Sequence, residues 1–509
     1  MKKTRREFLK KSGGCALGMV GLATQMHHLG TMSAMAQKVI DSKPQGGANY
    51  KAIVMLFWNG GNDGNNIIVP NHSDATISNY TAYSDARNTQ GLAIPQANLL
   101  PISVPRLGGL TYGLHPNFGT VNGGINNGIH ELWAQGKLGA VVNVGTLVRP
   151  LTKTQYQSSS FKKPYQLFSH SDQVTQAQTT NSLTEIFTGW GGRMADQLNL
   201  AHNPNGLVPM ITSISGAQLF TAGQTTLPLA ISSAENDTNV ATNNLQTVLN
   251  PAGFGTNPSG TTLARLNAYN NLRTQELSSN YIASASHVTD LAMQANNALL
   301  TSTDTSPDSR FPRTGIGLQL RQVARLIKNR DNLNINRQIF FVQIGGFDTH
   351  TNQPALQSNL VTQVSQAMRA FWDEMVDQAM QNDVTLFTLS DFNRTLNPAG
   401  SGTAVGSDHA WGNHMLVMGG SVIGGDFYGS LRPDGTGNYF PTLVRGGTDD
   451  ADSGSNARGR WIPTTSVEQY AAVLAKWFGL PQDAQTLATV FPNLANFSTG
   501  TFPQLGFLP

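Results

Sequence analysis

Apolar residues gather in short unbroken runs along this chain, separated by long polar stretches. Lys51-Ala-Ile-Val-Met-Leu-Phe-Trp58 is one such run. A strand that is apolar at almost every position is buried on both faces, as in a parallel sheet. It ends in Gly60-Gly61-Asn62-Asp63-Gly64, a turn-rich loop. Leu138–Val144, Gln338–Ile344, Val384–Leu389 and Met415–Met418 predict four further strands. Helices are expected over Ile129–Gln135, around Leu318–Ile327, and over about 357–381, where Leu360, Val364, Met368, Phe371 and Met375 recur on one face. A last helix is expected to start at Thr465, with Glu468 completing a capping box, and to run through Trp477. Strands alternating with helices predict an α/β fold with a mostly parallel, doubly wound sheet.

The stretch from about 150 to 310 breaks the pattern. It is dense in Ser, Thr, Asn and Gln, with helical spacing from Leu263 to Leu300. It reads as a polar, partly helical cap or insertion, at about 175–310, on a domain spanning 37–509. A second polar region, 430–460, holds Asp449, Asp450 and Asp452 without the spacing of a calcium loop, so a solvated loop is expected there.

The first 36 residues are set aside from the fold. Thr4-Arg5-Arg6-Glu7-Phe8-Leu9-Lys10 has the pattern of a twin-arginine export signal. A mildly apolar run, Cys15–Leu22, follows, and then Ser33-Ala34-Met35-Ala36, a small-residue cleavage site. The expectation is export by the twin-arginine translocase to the periplasm or beyond. Removing this leader leaves 33 − 6 = 27 basic and 30 − 1 = 29 acidic residues, a charge of −2. The basic balance of the whole chain thus belongs to the leader and gives no reason to expect nucleic acid as a partner. Cys15 is the one cysteine and leaves with the leader, so no disulfide is expected despite an oxidising destination. No later apolar run reaches membrane-spanning length.

Candidate chemistry sits where strands end. Asp63 follows the first strand, Asp348-Thr349-His350 follows Gly345-Gly346 after the third, and Asp408-His409 precedes His414. In open α/β sheets sites lie at the carboxyl ends of strands. Asp348 and His350 are two apart, so an extended backbone aims both the same way. Carboxylates with imidazoles suit zinc, manganese or iron. Singly, an Asp in a glycine-rich loop or a lone His is more often structural; the constellation points to metal. Arg394, three residues after Asp391, is a candidate oxyanion clamp or a structural partner of Asp391. His115 reads as a structural histidine.

The segments LFWNGGNDGNNIIVP, GGFDTH, LSDFNRT, GSDHAWGNHMLVMGG and RWIPTTSVEQYAAVLAKWFGL, with the leader, resemble the family called domain of unknown function 1501. That family lies within the wider alkaline phosphatase and sulfatase superfamily. The resemblance implies a two-metal hydrolase of phosphate or sulfate esters, with a small or polymeric anionic ester as substrate. It also implies that Asp63, Asp408 and His409 hold one divalent ion and that Asp348, His350 and His414 hold the other. Ser169, in the Ser-His pair of LFSHSDQ, is the implied nucleophile; its alternative role is to cap the helix that follows. Asp391 stands where the family often has Glu and is left outside the ligand set. The chain departs from the superfamily pattern in two places. One residue separates Asp348 from His350 where three are usual, and no His follows His414. An exported binding or scaffold protein that keeps the fold is the competing expectation.

Replacing Arg5 and Arg6 together by Lys keeps the charge and removes the guanidinium pair. The precursor is then expected to stay in the cytoplasm, which fractionation and immunoblotting measure; wild-type levels outside would contradict the export reading.

Overall fold

The computed structural model describes residues 49–120, 126–231, 233, 259–273, 275, 286, 310–497, 503 and 505–509. Twelve strands among them form two sheets. The main sheet contains β1 (Lys51–Trp58), β5 (Leu138–Gly145), β6 (Ile211–Ser213), β7 (Leu229–Ala230), β8 (Arg337–Ile344), β9 (Val384–Ser390), β10 (Asn413–Gly419), β11 (Phe427–Tyr428) and β12 (Thr465–Ser466). The remaining three, β2 (Ile68–Pro70), β3 (Leu100–Val104) and β4 (Leu110–Leu114), make a small antiparallel sheet. The main sheet runs β11-β5-β10-β9-β1-β8-β6-β7, with β12 also paired to β5. It is mixed and mostly parallel, as the run pattern predicts: only β10 is antiparallel to its neighbours β9 and β5.

Both faces of β1 are covered, which is why its sequence is apolar at successive positions. Ala52, Val54, Leu56 and Trp58 enter one core, shared with α5 (Gly315–Lys328) and α6 (Gln353–Asp377). Ile53, Met55 and Phe57 enter the other, shared with α3 (Trp190–His202) and α7 (Val467–Phe478). Each fully buried large side chain of this kind contributes roughly 1.5–3 kcal/mol. The register is what positions the site. Trp58 lies opposite Ile344 on one side and Ser390 on the other, so three parallel strands end in line. Antiparallel β10 begins at Asn413 on the same edge, and the segment leading into it joins the same cluster of loops.

Several element boundaries differ from the sequence expectation. The helix expected over 357–381 begins at Gln353, because Pro354 in its first turn is preorganised for a helix start. It ends at Asp377. The helix expected over 129–135 is a single turn, Glu131–Ala134. The C-terminal helix starts at Val467; Ser466 is its cap and Gln469 closes the capping box, leaving Glu468 to point inward. Part of the polar stretch 175–310 belongs to the main layers: α3 buries Trp190, Met194 and Leu198, and β6 pairs with β8. Of the helix expected from Leu263 to Leu300, the described part is α4 (Gly260–Arg273); most of the rest lies outside the described residues.

The 430–460 loop, expected to be solvated, is instead pinned by acids that are buried, Asp449 and Asp450. Buried Asp450 accepts from the backbone N–H groups of Gly446, Asp452, Gly459 and Arg460. Asp449 pairs with Arg432 at 2.7 Å. Lys153 Nζ donates to Gly446 O and Gly447 O at 2.8 and 3.0 Å. Among the described residues no helix is long and apolar enough to cross a membrane.

Glu468 gives this fold a pH dependence. Burial pushes its carboxyl from 4.5 up to about 8, against the pull of Arg193 and nearby hydrogen-bond donors. The unfolded chain ionises the group above about 4.5 while the fold keeps it protonated. Its contribution to stability therefore falls as pH rises from about 4.5 to about 8 and is constant outside that window. Urea unfolding at pH 5 and pH 8 should show a smaller loss for Glu468→Gln than for the wild type; equal losses would contradict this.

Candidate metal centre

Four chain segments meet beyond the aligned strand ends. The loop after β1 can approach the loop after β8 because residue 60 is glycine. Its φ is +113°, and a Cβ there would lie 2.5 Å from the Asp348 backbone nitrogen. Gly406 does the same on the other side, where a Cβ would fall 2.2 Å from the His350 carbonyl. The fourth segment is the start of α2 (His170–Thr179). It is delivered by backbone held in an unusual conformation, since Gln166 and Phe168 have φ of 44° and 72°. Non-glycine residues in that region store strain, which persists where surrounding structure over-determines it. Here the Phe168 N–H donates to Gln173 Oε1 at 2.6 Å, and the Phe168 ring lies under the Arg460 guanidinium.

Three imidazole nitrogens and one carboxylate oxygen converge there. His170 Nε2 and His350 Nε2 each lie 3.1 Å from His409 Nε2. Asp348 Oδ1 lies 3.3 Å from His170 Nε2, 3.0 Å from His350 Nε2 and 3.6 Å from His409 Nε2. A zinc-type tetrahedron with bonds of about 2.0–2.1 Å has ligand–ligand edges of about 3.3 Å. The five separations lie near that length, and the donor atoms of His170, Asp348 and His409 all lie within 4.8 Å of one another; neutral imidazoles with a carboxylate are a suitable donor set.

Each imidazole is oriented by a partner on its other nitrogen, so that Nε2 faces the cluster, where Arg394 Nη1 also lies 3.5 Å from His350 Nε2. His170 Nδ1 is 2.7 Å from Asp391 Oδ2, whose Oδ1 accepts from the Gly60 N–H. His350 Nδ1 is 3.2 Å from Asp408 Oδ1. His409 Nδ1 donates to Phe168 O at 2.8 Å. Such outer partners fix tautomer and ring orientation in metal sites. The Phe392 ring backs the His170 and His409 rings, with centroids at 4.6 and 4.7 Å. The hydrogen bond to Asp391 raises the His170 pKa, and burial lowers that of His409. Burial works to raise Asp348, but the Arg394 hydrogen bond and charge, with His350 and His170, hold it down at about 2. Asp408 is likewise lowered: burial opposes, and Arg458 prevails. The centre is open to solvent, with the side chains of Asp348, His350 and Asp408 at 49%, 43% and 36% exposure.

Of the six residues expected to be metal ligands, the structure brings Asp348, His350 and His409 together. Asp408 stands behind His350, and Arg458 bonds its other oxygen. Asp63 is elsewhere: both of its oxygens are bound by Arg87, at 2.6 and 2.9 Å, and neither side chain is exposed. His414 points from β10 into the core. There its ring stacks on Phe440 and accepts from the Asn143 N–H at 3.3 Å, and burial lowers its pKa to about 3. Ser169 occupies the cap position of α2 without a side-chain cap bond; its hydroxyl donates to Asp172. Arg394 is fully buried and donates to Gly60 O, Gly61 O, Ser407 O and Asp348 Oδ1, so it positions these groups rather than facing a substrate. His115 is structural: it accepts from the Asn117 N–H at 3.1 Å, and burial lowers its pKa to about 4. The sequence reading missed His170, although it lies beside Ser169 in a Ser-His pair. It offered Asp391 only as a partner of Arg394, whereas the structure pairs it with His170 and the Gly60 N–H.

The fold and this cluster define an α/β protein with a histidine–aspartate centre at the carboxyl edge of its sheet. The chain belongs to the family described as protein of unknown function (DUF1501), whose model matches residues 50–440. No curated protein matches it. Similar solved structures include Ps i-CgsB in complex with k-i-k-neocarrahexaose, at 8% identity and TM-score 0.32, covering 88% of this chain and 77% of that one. The sulfatase PsFucS1 from Pseudoalteromonas sp. is 7% identical with TM-score 0.24, covering 79% and 68%. The alkaline phosphatase of the Antarctic bacterium TAB5 is 9% identical with TM-score 0.21, covering 73% and 90%. Likeness this loose does not fix a reaction.

Proposed function

We propose that the protein is an exported, metal-dependent hydrolase of phosphate or sulfate esters, with its metal held by His170, Asp348, His350 and His409. The convergence of three Nε2 atoms and Asp348 Oδ1 within 3.0–3.6 Å of one another along five contacts carries this reading. Three imidazoles and one carboxylate suit zinc, then iron, ahead of manganese. A divalent ion bound there supplies Lewis-acid polarisation of an ester oxygen.

The chain's own residues do the rest. Asp391, Asp408 and the Phe168 carbonyl hold the three rings with Nε2 turned inward. Arg458 pairs with Asp408, and Arg460 pairs with Asp452 while its Nε donates to His409 O, so both guanidinium groups, each 27% exposed, stand beside the cluster. Ser169, tied to Asp172, is the weaker candidate for the attacking group; solvent has direct access through the exposed side. A second reading, a metal-bearing binding or scaffold protein, draws support from Arg394, whose guanidinium is wholly engaged inside the protein.

Metal analysis of protein recovered from the export compartment, with p-nitrophenyl phosphate and p-nitrophenyl sulfate turnover, tests both. His170→Ala is expected to lose the metal and all turnover. Asp391→Asn, which keeps every ligand, should weaken metal affinity about 10–100-fold. Turnover that survives His170→Ala would contradict the metal assignment, and metal without turnover of either ester would favour the scaffold.

A further inference from the structure

We infer that the centre takes a single ion, because arginine side chains fill the place of a second one. The inference rests on the metal reading above and concerns what stands beside that metal. The two-ion arrangement that the family resemblance implies would need Asp63 as a ligand and room for a second ion between Asp63 and Asp348. Neither is present.

The Asp63 carboxylate is saturated. Its Oδ2 accepts from Arg87 Nη1 at 2.6 Å and from Gln353 Nε2; its Oδ1 accepts from Arg87 Nη2 at 2.9 Å and from Asn65 Nδ2 at 3.2 Å. A carboxylate offers about four lone-pair sites, and four donors occupy them. Arg87 has no donor to release. Its Nε binds Leu396 O, Nη1 also binds Asn66 Oδ1, and Nη2 also binds Thr395 O. A planar fork matched in this way to a carboxylate is the strong form of the pair.

Arg394 fills the gap itself. On the side of the Asp63 loop it donates to Gly60 O and Gly61 O, the latter at 2.8 Å. On the side of the cluster it donates to Asp348 Oδ1 and Ser407 O, the latter at 2.9 Å. The guanidinium therefore lies between the Asp63 loop and the Asp348 carboxylate, where a second cation would have to bind. Asp408 pairs through one oxygen with the partly exposed Arg458. Three acids thus meet three guanidinium groups, and Asp348, with one oxygen facing the three imidazoles, is the carboxylate left to share with a metal. Among the described residues one group of potential metal ligands is gathered, around His170, Asp348 and His409.

Titration of chelator-stripped full-length protein with zinc sulfate, followed by calorimetry and by metal analysis after gel filtration, tests this. One tight equivalent per chain is expected, absent in His170→Ala and retained in Asp63→Asn that is shown by circular dichroism to be folded. Two tight equivalents in the wild type would overturn the single-ion inference while leaving the metal reading intact. Loss of the tight equivalent in folded Asp63→Asn would overturn it too. No tight equivalent at all would sink the metal reading itself. The wild-type count decides the matter even if the Asp63 variant does not fold.

Discussion

The in-phase register of β1 with β8 and β9 is the constraint on which everything else depends. Trp58, Ile344 and Ser390 lie side by side, so the glycine-rich loop after β1, the Asp348–His350 loop after β8 and the Asp391–Arg394 segment after β9 leave the sheet at one edge. A one-residue slip would exchange the two faces of a strand. Both cores would then be broken, since alternate residues of β1 belong to different ones. Register is thus set by burial on two faces, and the site inherits its geometry from the packing.

Upon that edge the chain builds a centre by pairing. Every imidazole of the cluster is held at Nδ1 by an oxygen, and the acids nearby are matched by arginines. The two kinds of pairing do different work. The oxygen partners aim Nε2 atoms at a common point. The guanidinium groups neutralise the carboxylates, most completely at Asp63 and Arg87, where neither side chain is exposed. Breaking such a buried pair leaves an uncompensated charge, which is why these acids are fixed in place.

Much of the sheet was legible because buried parallel strands write themselves as apolar runs: the runs beginning at Lys51, Leu138, Gln338 and Val384 all became strands. The approximate site was legible too, since glycines and acids cluster where those runs stop. Which ligands meet was less so. Asp348, His350 and His409 are brought together, but Asp63 finds Arg87, 24 residues away on α1 (Tyr80–Arg87), and nothing in local spacing announces that partner. His414 sits on β10, whose alternate residues enter the two cores, so its ring is packed inside the protein rather than at the cluster. His170 meets Asp391 across 221 residues, a pairing that only the folded sheet creates. The polar composition of 175–310 concealed α3 and β6, whose few apolar residues suffice because each covers only a small patch of the sheet's flank.

X-ray absorption spectroscopy of the metal in the purified wild-type protein tests the central claim most directly. A first shell of nitrogen and oxygen atoms at about 2.0–2.1 Å is expected, with the outer-shell scattering of three imidazole rings. A spectrum without imidazole scattering, or one with a second metal at about 3.5–4 Å, would contradict the account.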